Sequence, residues 1–176
     1  MSRRFSECIS LRQPWASLLV AGVKTVEWRG WSTAHRGPIW VHAAAATDAP
    51  LEHLVPAVTG EFARLAAAAG RPAPALPTAY PLGAVVGCVT IVDCADRATL
   101  VAQQPAVLVG QPVPAPRDSG ASFGFVCTSP VALARPIKCR GGKDVFRLPP
   151  DVQRMCHCQL PKTSSPSSSP SSSLWD

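Results

Sequence analysis

The stretch "AVVGCVTIVDC", Ala84 to Cys94, constrains the fold more than any other. It is β-branched and apolar, and it is bounded by turn-forming residues, which is the pattern of a strand. The chain must therefore build a sheet around it. Shorter strand signals surround it: Cys8–Leu11, Val23–Arg29, Pro38–Ala45, Ser122–Cys127 and Asp144–Leu148. Helix signals fall between some of them. Pro14 suits the first turn of a helix and Gly22 its stop. Leu51–Gly70 reads as helical, with a break expected near Pro56 and Gly60. Arg71–Gly83 is a proline-rich loop, and Val101–Gly120 reads as a loop with Pro and Gly. No internal repeat is visible. Strands with irregular connections and intervening helices predict a small α+β domain around a barrel-like sheet. The folded domain is expected over residues 5–160. Residues 161–176, "PKTSSPSSSPSSSLWD", are expected to be a disordered Ser/Pro-rich tail, too poor in apolar surface to order itself.

Length and composition agree with one domain: 176 residues, of which 47% are hydrophobic. No apolar run is long enough to span a membrane. Arg3 and Arg4 before Trp15–Val23 imitate a leader, but Glu7, Arg12 and Gln13 interrupt the pattern, so it reads as mature sequence. The net charge is +6, compatible with a polyanionic partner. Thirteen of the seventeen cations are Arg, which grips phosphate in two-pronged fashion and stacks on rings. A GC-rich genome explains the same bias equally well, since Ala and Pro are also abundant. The seven cysteines follow no disulfide framework and read as small buried hydrophobes. Cys156-His157-Cys158, with Cys139 upstream, lacks the spacing of a tetrahedral zinc site. Neither a metal nor a cofactor is expected.

Chemistry concentrates in "GVKTVEWRGWSTAHRGPIW", Gly22–Trp40, which holds three of the five tryptophans. On a strand, Thr25, Glu27 and Arg29 share one face, and Lys24, Val26 and Trp28 the other. Lys24 sits at the strand's start, from where it can reach a cleft, and Glu27 can hold either cation in place. The alternative is an exposed strand with a surface ion pair of little worth. The pair is expected at a cleft rim, where Glu27→Gln would leave the fold intact. Trp31, Thr33, His35 and Arg36 put stacking planes beside phosphate donors, the combination single-strand recognition needs. Trp15 and Trp40 sit in apolar patterns and are expected in the core. Arg12 precedes a helix N-terminus, where it would favour an anion, or else it is a solvated turn residue. Lys138 and Arg140, with Arg135 and Lys143, form a second basic loop. Gly141-Gly142 would let that loop's backbone approach a ligand closely.

These residues carry a resemblance. "LRQPWASLLVAGVKTVEWRGWSTAHRGPIWVHAA", Leu11–Ala44, resembles the ASCH domain, in particular the C-terminal ASCH domain of activating signal cointegrator proteins. The family's GxKxxExR pattern is met at Gly22, Lys24, Glu27 and Arg29, and the QPWASLL and HRG segments stand in the same order. The likeness continues through "YPLGAVVGCVTIVDC", "FGFVC" and "RPIKCRGGKDVFRL", from Cys8 to about Leu148. It implies a PUA-like β-barrel with flanking helices, and a cleft faced by Lys24, Glu27 and Arg29 with Arg12, Trp31, Thr33 and His35 near it. It further implies an RNA or DNA partner, single-stranded or at an end, no membrane, a link to transcription coactivation or RNA metabolism, and a nuclear or cytoplasmic location. The cointegrator's zinc-finger portion is not in this sequence. A second implication is enzymatic. Some small ASCH proteins hydrolyse amide bonds on modified cytidine such as acetylated cytidine, a Lys activating a Thr nucleophile. Lys24 matches that lysine, but Glu27 stands where the threonine would be, so an amidohydrolase here would have to work with Lys24 and Glu27 alone.

Overall fold

The computed structural model describes residues 4–115 and 122–161. The serine-rich tract and the end of the Val101–Gly120 segment therefore lie outside the described residues. The chain runs β1 (Glu7–Leu11), α1 (Trp15–Val20), β2 (Val26–Arg29), β3 (Gly37–Ala43), α2 (Leu51–Ala68), β4 (Ala84–Asp96), α3 (Arg97–Gln103), a 3-10 turn (Pro105–Leu108), β5 (Phe123–Lys138), β6 (Val145–Arg147) and α4 (Pro150–His157).

The six strands form one mixed sheet in the order β2-β5-β4-β3-β1-β6. The long β-branched run at Ala84 becomes β4, and it lies inside the sheet between β3 and β5. Among the described residues only β1 and β3 pair in parallel, joined through α1 and β2. The sheet is not closed, since β2 and β6 are its two free edges. It is nevertheless strongly coiled. Arg29 of β2 donates from Nη1 to the Ser10 carbonyl of β1 at 3.4 Å, although those strands stand four places apart in the ladder. The α+β class and the barrel-like curl expected from sequence both hold, with an open rather than a sealed barrel.

Alternation along the strands divides the core in two. Ile9, Leu11, Ile39, Val41, Val89, Ile91 and Phe125 point into the curl and meet Leu19 and Val20 of α1. Their neighbours Cys8, Trp40 and Cys88 point the other way and pack under Leu148, Val152 and Cys156 at α4. Cys8, Cys88 and Cys156 are thus small hydrophobes of this second layer. His157 serves the same layer: its Nε2 accepts from the Phe5 amide at 3.3 Å and its Nδ1 meets the Gln153 carbonyl at 2.8 Å. Cys156 and His157 are thus part of this packing, whereas Cys158 is exposed.

Several elements depart from the sequence reading. The helix α2 runs unbroken through Pro56 and Gly60. It lies on the surface with Thr59, Phe62 and Ala66 as its buried residues, so one missing backbone bond is tolerated where few tertiary contacts depend on it. The strand β5 extends far beyond Cys127, to Lys138. Pro130 is accommodated because it falls where the β4 ladder skips register between Thr128 and Val131, next to Ser129 at φ 49°. A bulge of this kind needs no amide at that place. The expected Val101–Gly120 loop begins within α3, which is capped by Asp96, accepting from the Thr99 amide at 2.9 Å. The helix α4 had no counterpart in the sequence reading, although Pro150 and Asp151 in its first turn are ordinary start signals. Among the described residues, no helix is long and apolar enough to cross a membrane.

Candidate functional site

The site begins where α1 stops. The amides of Val23 and Lys24 both donate to the Leu18 carbonyl, each at 3.1 Å, which folds the chain sharply back. Gly22 makes that turn at φ 75°, and a Cβ there would stand 2.9 Å from the Pro130 ring. Only glycine meets both conditions without strain. Val23–Thr25 therefore leave the strand, which starts at Val26 rather than at Val23. Their backbone groups go to a side chain instead. The buried Gln111 accepts from the Thr25 amide at 2.8 Å and donates to the Val23 carbonyl at 3.1 Å. Trp28 Nε1 donates to the Pro112 carbonyl at 3.1 Å. These bonds tie the segment Gln111–Pro114 alongside β2.

Between that segment and the sheet lies a pocket of about 250 Å³, lined by Trp15, Lys24, Glu27, Trp28 and Pro112–Pro114. Its walls are apolar apart from one ion pair. Lys24 Nζ meets Glu27 Oε2 and also donates to the Val26 carbonyl at 2.6 Å. The two residues are 4% and 7% exposed, so this is a buried pair in the floor of a pocket and not a pair at a rim. The reason is the turn at Gly22, which brings Lys24 beneath α1, with Nζ 6.0 Å from the centre of the Trp15 ring. Arg29 completes the group. Its Nη1 lies 3.4 Å from Glu27 Oε1, and its guanidinium 5.5 Å from the centre of the Trp31 ring. Glu27 thus holds Lys24 with one oxygen and Arg29 with the other. Cys127 lies behind them. Burial pushes its thiol up to about 12, against the pull of the Lys24 ammonium, and the Glu27 carboxylate adds to the rise. At neutral pH it is a thiol, not a nucleophile.

The other residues singled out in the sequence are distributed around this centre, not all within it. Trp31 presses its edge against Phe125 with ring centres 5.1 Å apart and shelves Arg29. Thr33 and His35 shape the following turn, the Thr33 hydroxyl accepting from the His35 amide at 3.1 Å. Arg36 is occupied by that same turn, donating to the carbonyls of Thr33 and His35 at 3.0 Å each and to Asp93 at 3.1 Å. Arg12 is paired with Asp48 on the surface. At the start of α1 the side chain in service is Gln13, whose Oε1 accepts from the Ser17 amide at 3.1 Å. Lys138 and Arg140 are remote along β5: Glu27 lies opposite Phe125 at one end of that strand, and Lys138 opposite Ala84 at the other. Lys138 Nζ donates to the Leu82 carbonyl at 2.6 Å.

Three contributors escaped the sequence reading. Trp15 is a pocket wall and not simply core, Trp28 is its partner wall, and the Gln111–Pro114 segment closes the side. Trp28 could have been found, since it stands inside the aromatic and cationic stretch. Gln111 is 86 residues from the amide it serves, and no local pattern reports such a bond.

The open, coiled six-stranded sheet with its flanking helices is a PUA-like fold, and the lysine–glutamate–arginine cluster sits at its β2 edge. The family model described as the ASCH domain matches residues 9–130, and the chain belongs to that family. It is 33% identical over 141 residues to activating signal cointegrator 1 of Mus musculus and, equally, of Homo sapiens. The match covers 80% of this chain but only 22% of those proteins. Among solved structures, ASCH from Zymomonas mobilis matches at TM-score 0.50 and 16% identity, over 86% of this chain and 93% of that one. A point mutant of the same protein matches at TM-score 0.51 and 15% identity, over 89% and 98%. At that identity the likeness concerns the fold.

Proposed function

We propose that this chain is a nucleic-acid-binding ASCH module, whose pocket admits an unpaired base beside a cationic shelf. The observation that carries this reading is the composition of the pocket. Two tryptophans and a proline-rich wall offer apolar faces to a flat ring. The floor offers a carboxylate acceptor next to ammonium and guanidinium donors, held ready in one hydrogen-bonded group. Stacking of a base on an aromatic side chain is sequence-tolerant and worth about 1–3 kcal/mol. Arg29 at the pocket's side and the overall charge of +6 favour the phosphate backbone. The likeness to a protein named activating signal cointegrator 1 supports a role near transcription or RNA metabolism, and with it a nuclear or cytoplasmic setting. The folded module is taken as residues 5–160.

Binding by this route depends on salt in a definite way. With Arg12 engaged by Asp48 and Arg36 by Asp93, two to four phosphates are neutralised. The logarithm of affinity for a single strand should then fall against the logarithm of salt with a slope of about −1.4 to −3. A slope near zero in a fluorescence-anisotropy titration would remove the electrostatic part of the proposal.

The amidohydrolase reading has less support. Lys24 Nζ donates to a carboxylate and a carbonyl, and no hydroxyl among the described residues is bonded to it. Cys127 is held as a thiol. Incubation of the native chain with acetylated cytidine should therefore release no acetate. Turnover that disappears in both Lys24→Ala and Lys24→Arg would decide for the hydrolase.

A further inference from the structure

A second cavity shares no lining residue with the pocket and meets α1 at Ser17 and Val20 rather than at Trp15. It is a groove of about 360 Å³ between the proline-rich loop and β5, lined among others by Val20, Pro77, Pro81, Leu133, Ala134 and Pro136. No Lys, Arg, Asp or Glu lines it, so it is no seat for a phosphate backbone. Its prolines and small apolar side chains suit a flat hydrophobic ring, which removes the most water per side chain when buried.

The chain itself passes the mouth of this groove. After α4, Gln159 grips β5 at Arg135: its Oε1 accepts from the Arg135 amide and its Nε2 donates to the Arg135 carbonyl, both at 2.9 Å. Arg135 stands between the groove residues Ala134 and Pro136. The described residues end at Pro161, two residues beyond Gln159. Fifteen residues follow, Lys162–Asp176, and apart from prolines Leu174 and Trp175 are their only apolar side chains. The twelve residues from Lys162 to Ser173 can span up to about 40 Å, ample for a return to a groove that starts beside the anchor. Charge agrees with this occupant. Asp176 follows Trp175, and the exposed Arg135 makes no ion pair among the described residues.

We propose that the groove between Pro77–Pro81 and Leu133–Pro136 is a docking site for this chain's own Leu174–Trp175, with Asp176 beside Arg135. A tether of this length holds the pair near the groove at an effective concentration in the millimolar range, so modest intrinsic affinity suffices.

Amide hydrogen exchange on the full 176-residue chain tests the proposal. In Trp175→Ala, the amides of Thr78, Ala79 and Tyr80 should exchange roughly three- to tenfold faster than in the native chain, while those of β1 and β3 stay unchanged. A peptide of residues 164–176, added to the Trp175→Ala chain, should restore the slower exchange. Ala134→Glu, an exposed change that fills the groove and repels Asp176, should give the same acceleration and add nothing to Trp175→Ala. Equal exchange in native and Trp175→Ala chains overturns the proposal, as does failure of the peptide to restore protection. Protection that grows with protein concentration overturns it too, because the occupant would then be the segment of a second copy.

Discussion

Glu27→Gln lowers the stability of the domain by about 3–5 kcal/mol, the cost of leaving a buried charge without its partner. Lys24 has nowhere to go. It is buried, its ammonium is bonded to Glu27 and to the Val26 carbonyl, and the turn at Gly22 fixes its backbone. A neutral amide still accepts a hydrogen bond but carries no negative charge to set against the two cations. For a chain of this size about 1 kcal/mol moves the midpoint by 2–4 °C, so thermal unfolding should shift down by roughly 6–20 °C. Burial is what turns a substitution expected from sequence to be mild into a severe one. The control is the double variant Lys24→Met with Glu27→Gln. It removes the orphaned ammonium while a side-chain amide still faces Arg29, and it should recover most of the loss, since replacing a buried pair is often close to neutral. A native-like midpoint in the single variant would mean that solvent reaches the pair and that the pocket floor is open.

Trp28→Leu should weaken binding of an unstructured single-stranded RNA by about 1–3 kcal/mol, equivalent to roughly 5–150-fold in dissociation constant. Leucine keeps the apolar contacts that Trp28 makes with the Val26, Leu100 and Val126 cluster, but it has no ring face. Trp28→Phe keeps a ring and should retain the larger part of the affinity. Both variants lose the indole bond to the Pro112 carbonyl. A difference between them therefore reports stacking and not the tether of the Gln111–Pro114 segment. Equal affinities for Leu, Phe and native chains would take the base out of this pocket.

The parts of the fold legible in the sequence were those specified locally. The β-branched run at Ala84, the alternation around Trp40 and the glycine after α1 each carry their structural meaning within a few residues. The same holds for the GxKxxExR pattern, whose Lys24, Glu27 and Arg29 the structure gathers around one carboxylate. What was hidden depends on partners far along the chain. The far half of β5 is reached only through a bulge opposite β4, and Pro56 reads as a helix breaker until α2 is known to bury so little. Arg12 and Arg36 read as free phosphate donors because Asp48 and Asp93 cannot be assigned to them by spacing. Trp15 reads as core for a related reason. Its apolar neighbours are core, but its own ring overhangs Lys24, and that follows from the turn back at Gly22, not from hydrophobic pattern.

The central claim is that the tryptophan-walled pocket over Lys24 and Glu27 takes an unpaired base of a nucleic acid strand. The most direct measurement is an equilibrium titration of the native chain at low salt with single-stranded RNA, single-stranded DNA and a blunt duplex of matched length. The account predicts saturable binding of at least one single strand, tighter than binding of the blunt duplex, because a stacked base pair offers the pocket no free ring. Binding of all three with equal affinity, or of none, would contradict it.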